Sequence, residues 1–288
     1  MTKFDINTKY RMNSGYEIPV LGYGVYQTPA DIAEEVVSHG IKVGYRHVDS
    51  AVGYRNEETS AAGMLKSGIP RDQLFFTTKI PAGQLGYDNA QKHVDATLQK
   101  TGLDYIDLYL IHAPYGGRKG RLQAWRALAD AVEAGKVRSI GVSNYGVHHL
   151  EELEEYIKET EQIEGKGKGG VLSVNQVELH PWLARKDIVD WCKERGVILE
   201  AYSPLVRATK INDPLLMPLA EKYNKTTSQI LLRWSLQMGF VPLPKSVHKP
   251  RIEENVDIYD FELSEEEMKS LDTGVYEPCT WDPTTSQD

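Results

Sequence analysis

Tyr105-Ile-Asp-Leu-Tyr-Leu-Ile-His112, a helical pattern near 119–134, then Val137-Arg-Ser-Ile-Gly-Val-Ser143 decide the fold. Strand, helix, strand in that order implies two parallel strands joined by a right-handed crossover. The same rhythm extends in both directions. Short β-type runs lie at 20–24, 45–50, 74–79, 105–112, 137–143, 172–177, 197–202 and 240–244. Between them fall helical patterns near 29–42, 56–66, 88–101, 119–134, 146–162, 184–195 and 213–238, with more after 250. Eight such units in 288 residues predict a single (β/α)8 TIM barrel domain over 1–288. An open doubly wound sheet is the alternative that strand counting leaves standing.

Local signals support these boundaries. Thr28-Pro29 predicts an N-cap followed by proline in the first turn, with Asp31 behind it. Ser264 and Glu267 have capping-box spacing and start a last helix. Residues 4–19, turning at Asn13-Ser14-Gly15, predict a β-hairpin ahead of the barrel. The glycine-lysine stretch 165–170 predicts a flexible loop. The acidic run 151–164 is a solvated helix face. A C-terminal tail carrying Cys279 and Trp281 follows the barrel, and reads either as a pocket wall or as an unstructured end.

Composition excludes several classes. With 33 basic and 41 acidic side chains the formal net charge is −8, which argues against nucleic acid or an anionic membrane as partner. No apolar run reaches a membrane-spanning length. The start, MTKFDINTKY, lacks the form of a signal peptide, so a cytoplasmic protein is expected. Cys192 and Cys279 make neither a disulfide framework nor a metal motif, so no metal is expected.

Barrel chemistry gathers at the C-terminal strand ends. Asp49, Lys79 and His112 fall at three successive ends, and Tyr54 lies in the loop after the first. Period-two alternation puts His112 on the face of Leu108 and Leu110, Lys79 on that of Phe75 and Thr77, and Asp49 on that of His47. A lysine and an aspartate there are tolerable to bury as a pair. Singly each is more often structural, and His47 reads as a satisfied core histidine. Four complementary groups together raise the functional reading.

The motifs around these residues resemble those of the aldo-keto reductase family. They are Gly44-Tyr-Arg-His-Val-Asp49-Ser-Ala-Val-Gly-Tyr54-Arg-Asn-Glu57, the run 104–112, Gly141-Val-Ser-Asn144, Asn175-Gln-Val-Glu-Leu-His-Pro181 and Pro244-Lys-Ser246. The resemblance covers about 16–271 in order and implies a barrel that reduces aldehydes or ketones with NADPH, NADH serving less well. It implies a catalytic tetrad of Asp49, Tyr54, Lys79 and His112. In that reading Tyr54 donates the proton, Lys79 lowers the phenol pKa, Asp49 holds Lys79, and His112 orients the carbonyl.

The resemblance further implies carboxamide contacts from Ser143, Asn144 and Gln176, and stacking by Tyr202. It puts Ser203 and Leu205 at the pyrophosphate, and Gly24, Val25, Tyr26 and Asp49 also near the cofactor. Lys245, Ser246 and Arg251 become a 2′-phosphate clamp, with Glu254 and Asn255 at the adenine. The last group has independent support. Lys245, His248, Lys249 and Arg251 fall within seven residues of an acidic chain, and Arg251 follows Pro250 near a helix start, where an anion would relieve it. Glu253 and Glu254 could relieve it equally.

Tyr26, Tyr54, His112 and Ala113 are expected to face the substrate. Tyr26 and Ala113 stand where relatives carry tryptophan, which predicts a lower, wider wall at Ala113. The loop after Leu205 is short. Two rivals remain: a Schiff-base aldolase using Lys79, and a non-catalytic NADPH-sensing subunit that binds a protein. A monomer or weak homo-oligomer is expected.

Overall fold

The computed structural model describes residues 4–288. Its eight-stranded parallel sheet runs in strict sequence order, which is what the repeated βα rhythm requires. The strands are β3 (Tyr23–Gly24), β4 (His47–Asp49), β5 (Phe75–Ile80), β6 (Ile106–Ile111), β7 (Val137–Ser143), β8 (Leu172–Glu178), β9 (Ile198–Tyr202) and β10 (Val241–Pro242). The ring closes where the Gly22 and Gly24 N–H groups donate to the carbonyls of Pro242 (3.1 Å) and Pro244 (3.0 Å). The open sheet is thereby excluded. Ahead of the barrel, β1 (Lys9–Arg11) and β2 (Glu17–Pro19) form the expected antiparallel hairpin.

Two layers fill the barrel. Phe75, Leu108, Leu110 and Val174 form an apolar layer, capped from below by Met12 and Ile18 of the hairpin. Above it the inward side chains turn polar, from His47 and Thr77 to Asp49, Lys79, Gln176 and Glu200, all buried. Inner space is tight at the β7 bulge, where a Cβ on Gly141 would stand 2.4 Å from the Val174 carbonyl oxygen. Outside, helices bury Val36, Met64, Val94, Trp125 and Leu153 against the outward strand faces. Burying one such side chain contributes about 1.5–3 kcal/mol.

The helices are α1 (Ala30–Lys42), α2 (Glu57–Leu65), α3 (Tyr87–Thr101), α4 (Gly117–Glu133), α5 (Val147–Glu164), α6 (Lys186–Glu194), α7 (Met217–Tyr223), α8 (Thr227–Gln237), α9 (Lys249–Glu254) and α10 (Glu265–Ser270). Three expectations need correction. The single helix expected over 213–238 is two, because Asn224 turns left-handed (φ 51°) and Thr226 starts α8 with its own capping box. Thr28 does not cap α1; its carbonyl instead accepts from Asn56. The 165–170 loop is anchored, since Trp125 Nε1 donates to the Gly169 carbonyl (2.7 Å) and Lys168 pairs with Glu133. The Ser264–Glu267 capping box forms as expected.

Candidate active site

Parallel strands in register bring the three predicted strand ends together. Lys79 Nζ donates to both Asp49 oxygens (2.8 Å each) and to the Ser50 carbonyl (2.7 Å). Tyr54 ends a short turn, Val52–Tyr54, whose position is fixed from the next residues. Asn56 accepts from Ser50 Oγ (2.9 Å) and donates to the carbonyls of Val25 and Thr28, pinning the turn to the barrel rim. The Tyr54 ring then lies 5.1 Å from Lys79 Nζ, 5.7 Å edge-on from His112 and 5.0 Å from Tyr26. All four predicted tetrad residues meet.

Their electrostatics differ from expectation in one respect. The Tyr54 phenol is pushed well above its ordinary value, by burial first and then by Asp49, Tyr26 and Glu200. Lys79 directs its hydrogens at Asp49 and Ser50, and its charge does not outweigh the combined effect of burial and Asp49 on the phenol. Tyr54 therefore keeps its proton. Burial, and secondarily Lys79, push His112 down to about 3, which leaves a neutral imidazole able to donate one hydrogen bond.

A cleft of about 700 Å³ opens above the tetrad. It is lined by Gly24, Tyr26, Gln27, Asp49, Tyr54 and His112, and by Ser143, Asn144, Gln176, Tyr202, Ser203, Pro204 and Leu205. Arg207, Leu243, Pro244, Lys245, Cys279, Thr280 and Trp281 complete it. Asn144, held left-handed at φ 63°, donates to the His112 carbonyl (2.9 Å) and to Ser143 Oγ (3.0 Å), and accepts from Tyr202 OH (2.8 Å). Gln176 Nε2 donates to Asp49 Oδ1 and to Glu200 Oε2, both at 2.9 Å.

Lys245 borders the cleft without an ion-pair partner among the described residues, and partial desolvation of this exposed side chain pulls its pKa down. Arg251, on the first turn of α9, likewise has none, because Glu253 pairs with His39 (3.0 Å) and Glu254 accepts from Thr226 (2.7 Å). The two acids that could have neutralised it are engaged elsewhere. Lys249 pairs with Glu35, which removes it from the basic cluster. Ser246 and Asn255 are buried beside α9, outside the cleft wall, and Ser246 Oγ accepts from the His248 N–H (3.0 Å). Val25 is fully buried and also does not line the cleft.

The tail settles against the mouth instead of hanging free. Glu178, at the end of β8, accepts from the N–H groups of Cys279 (2.6 Å) and Thr280 (3.2 Å) and from the Thr280 hydroxyl. Its remaining contact is His180 Nε2 (2.8 Å). One ligand-type atom each from Glu178, His180 and Cys279 lies within 4.8 Å of the others, but the carboxylate is fully engaged in clasping the tail. Arg185 holds Asp282 (2.9 Å) and Thr284 (2.6 Å). Trp281 is thereby set edge-on to His112 at 6.1 Å and to Tyr115 at 5.8 Å.

This revises the expected pocket wall. Ala113 is fully buried and absent from the cleft, while an indole from the tail stands beside His112. The sequence reading also passed over Glu200 and Arg207. Alternation signalled Glu200, since it shares the inward face of β9 with Tyr202. Nothing in the chain order signalled that Trp281 meets His112.

Comparison with known proteins agrees with this geometry. The Aldo/keto reductase family model matches residues 20–274. Glyoxal reductase of Bacillus subtilis is 43% identical over 263 residues, covering 91% of each chain. The crystal structure of an aldo/keto reductase from Brucella melitensis superposes with a TM-score of 0.84 at 39% identity, over 92% of this chain and 98% of that one. A Bombyx mori aldo-keto reductase, solved in complex with NADP, gives 0.82 at 30% identity, over 95% and 94%. The chain belongs to the aldo/keto reductase family, oxidoreductases acting on carbonyl and alcohol groups. No helix among the described residues is long and apolar enough to cross a membrane.

Proposed function

We propose that this chain is a cytoplasmic, NADPH-dependent reductase of small aldehydes and ketones, with Tyr54 as proton donor and the whole site built on one barrel domain. One observation carries the reading. Tyr54 and His112 meet edge-on at 5.7 Å above a fully engaged Lys79–Asp49 pair, in a cleft also lined by Lys245, which has no ion-pair partner among the described residues.

The donor set fits a nicotinamide dinucleotide. An aromatic ring (Tyr202), amides (Asn144, Gln176), Ser203, Leu205 and Lys245 all line the cleft with Tyr54 and His112, and Arg251 lies on α9. Glu254 and Asn255 would then flank the adenine. Bound there, NADPH would supply the hydride for the carbonyl carbon. His112 orients the carbonyl oxygen by a neutral hydrogen bond, and Tyr54 delivers its proton as charge grows there. Asp49 fixes the Lys79 ammonium under the phenol, which keeps the charge balance of the pocket. Because burial and Asp49 hold the Tyr54 proton on, the resting site is loaded for reduction rather than for alcohol oxidation.

The Schiff-base alternative is disfavoured because Lys79 directs its hydrogens at Asp49 and Ser50 and leaves no nucleophilic lone pair. The decisive experiment is a panel of carbonyls, starting with glyoxal-type small dicarbonyls, followed at the NADPH absorbance band. Turnover is expected. Tight NADPH binding without turnover across the panel would instead support the sensing subunit.

Trp281→Ala should widen the specificity. Removing the indole clears the wall beside His112, so bulky ketones are expected to gain several-fold in kcat/KM relative to small aldehydes. An equal change for both classes would mean that Trp281 only anchors the tail. Ala113→Trp, by contrast, should lower thermal stability and act on all substrates alike, because the site is closed and overpacking costs about 1–3 kcal/mol. A selective loss of bulky substrates in that variant would restore Ala113 to the pocket.

A further inference from the structure

Beneath the tetrad the barrel interior holds one acid too many. Asp49 and Glu200 are both buried, and a single amide nitrogen, Gln176 Nε2, bridges them at 2.9 Å to each. The one buried lysine among the described residues, Lys79, is spent on Asp49 and Ser50. Glu200 Oε2 has the Gln176 contact, while Oε1 lies 3.5 Å from His47 Nε2 and has no hydrogen-bond partner. His47 Nε2 in turn contacts Thr77 Oγ1 (2.9 Å), and burial holds that imidazole down to about 3, so it does not supply a compensating charge. The neighbouring strand β10 offers only Val241 and Pro242. A second carboxylate so close to Asp49, without a cation of its own, is the arrangement in which one acid keeps its proton.

We propose that Glu200 is a positioning residue that is protonated in the resting enzyme and ionises when the oxidised, positively charged nicotinamide occupies the cleft above Gln176, so that binding of NADP+ releases one proton to solvent and binding of NADPH does not. This rests on the reading that the nicotinamide lies against Asn144, Gln176 and Tyr202. The charge logic is simple. A cation arriving over the Asp49–Gln176–Glu200 chain is stabilised by a second carboxylate, whereas a neutral ring gains nothing from one. Burial, and next Asp49, push Glu200 up to about 8, which puts the transition within reach of an ordinary titration. Asp49, His47, Lys79 and, above them, Tyr54 are the titratable groups facing it, and Tyr54 stays protonated throughout the range concerned.

The test is the dissociation constant of each cofactor, by quenching of protein fluorescence, across the range from about pH 6.5 to pH 9. For the wild type, NADP+ is expected to bind about tenfold more tightly at the alkaline end than near neutrality, with NADPH nearly flat. Glu200→Gln replaces the protonated acid by a neutral amide of the same shape. It should keep NADPH affinity within about threefold and lose the slope for NADP+. Glu200→Asp serves as the second variant if the glutamine form misfolds, and should retain a slope with a displaced midpoint. Tyr54→Phe should retain the wild-type slope, which separates Glu200 from the phenol. Equal slopes for both cofactors, or a slope for NADP+ that survives in Glu200→Gln, would overturn the proposal. If Asn144→Ala and Tyr202→Ala leave both affinities unchanged, the cleft reading itself fails and takes the proposal with it. If they weaken binding while Glu200→Gln keeps its slope, only the Glu200 assignment is wrong.

Discussion

Tyr54→Phe is expected to stop carbonyl reduction while leaving NADPH affinity nearly unchanged. The substitution replaces the hydroxyl by hydrogen, and among the described residues the phenol makes no hydrogen bond that the loss would break. The ring contacts with Tyr26, His112 and Lys79 stay in place, so the turn pinned by Asn56 should keep its shape. General acid catalysis contributes about 10²–10⁴-fold, and His112 is a poor substitute because its neutral imidazole holds its remaining proton tightly. The raised phenol pKa adds a pH signature. Reduction by the wild type should stay flat from neutrality into the mildly alkaline range, because the donor remains loaded there. The measurements are single-turnover rates and cofactor dissociation constants for both forms. A variant that retained half its turnover when chemistry limits the rate would remove Tyr54 from the proton-donor role.

How much of this was legible in the chain depends on whether the signal was local. Strand order and the meeting of Asp49, Lys79 and His112 follow from alternation, which acts over a few residues, and from the in-register pairing of strands that are consecutive in the chain. The hairpin and the capping box at Ser264 were legible for the same reason. The missed features are contacts across the fold. The tail as a pocket wall was one of two readings open in the sequence, but its contact with His112 was not legible, because Trp281 reaches that ring through the clasp by Glu178 and Arg185. Asn224 breaking one helical pattern into two depends on a left-handed residue followed by a new cap, which apolar periodicity alone passes over. The net direction of the Tyr54 pKa was illegible for a different reason. Proximity was right, but the sign of the net field depended on where the ammonium points and on how dry the pocket is.

The double substitution Lys245→Ala with Arg251→Ala should weaken NADPH binding sharply and NADH binding little. Among the described residues neither side chain has an acidic partner, although the chain carries an excess of acids and Glu253 and Glu254 lie close to Arg251 in sequence. Two unpaired cations in that setting, Lys245 with its pKa lowered by partial desolvation although exposed, offer an anionic ligand a site. Of the two cofactors only NADPH carries a 2′-phosphate, and a guanidinium can meet it with two parallel charge-assisted hydrogen bonds. Such bonds contribute about 1.5–3 kcal/mol each, so losing two should shift the NADPH-to-NADH preference by roughly 10²-fold or more. Added salt should erode the wild-type preference, because Arg251 is exposed and its interaction with a phosphate is screened. The dissociation constants of both cofactors, measured by fluorescence quenching at low and high salt, decide the matter. Equal losses for NADH and NADPH would mean that Lys245 and Arg251 support the pyrophosphate or the fold, and that the phosphate preference has to be sought elsewhere along the cleft, with Arg207 the next cation to test.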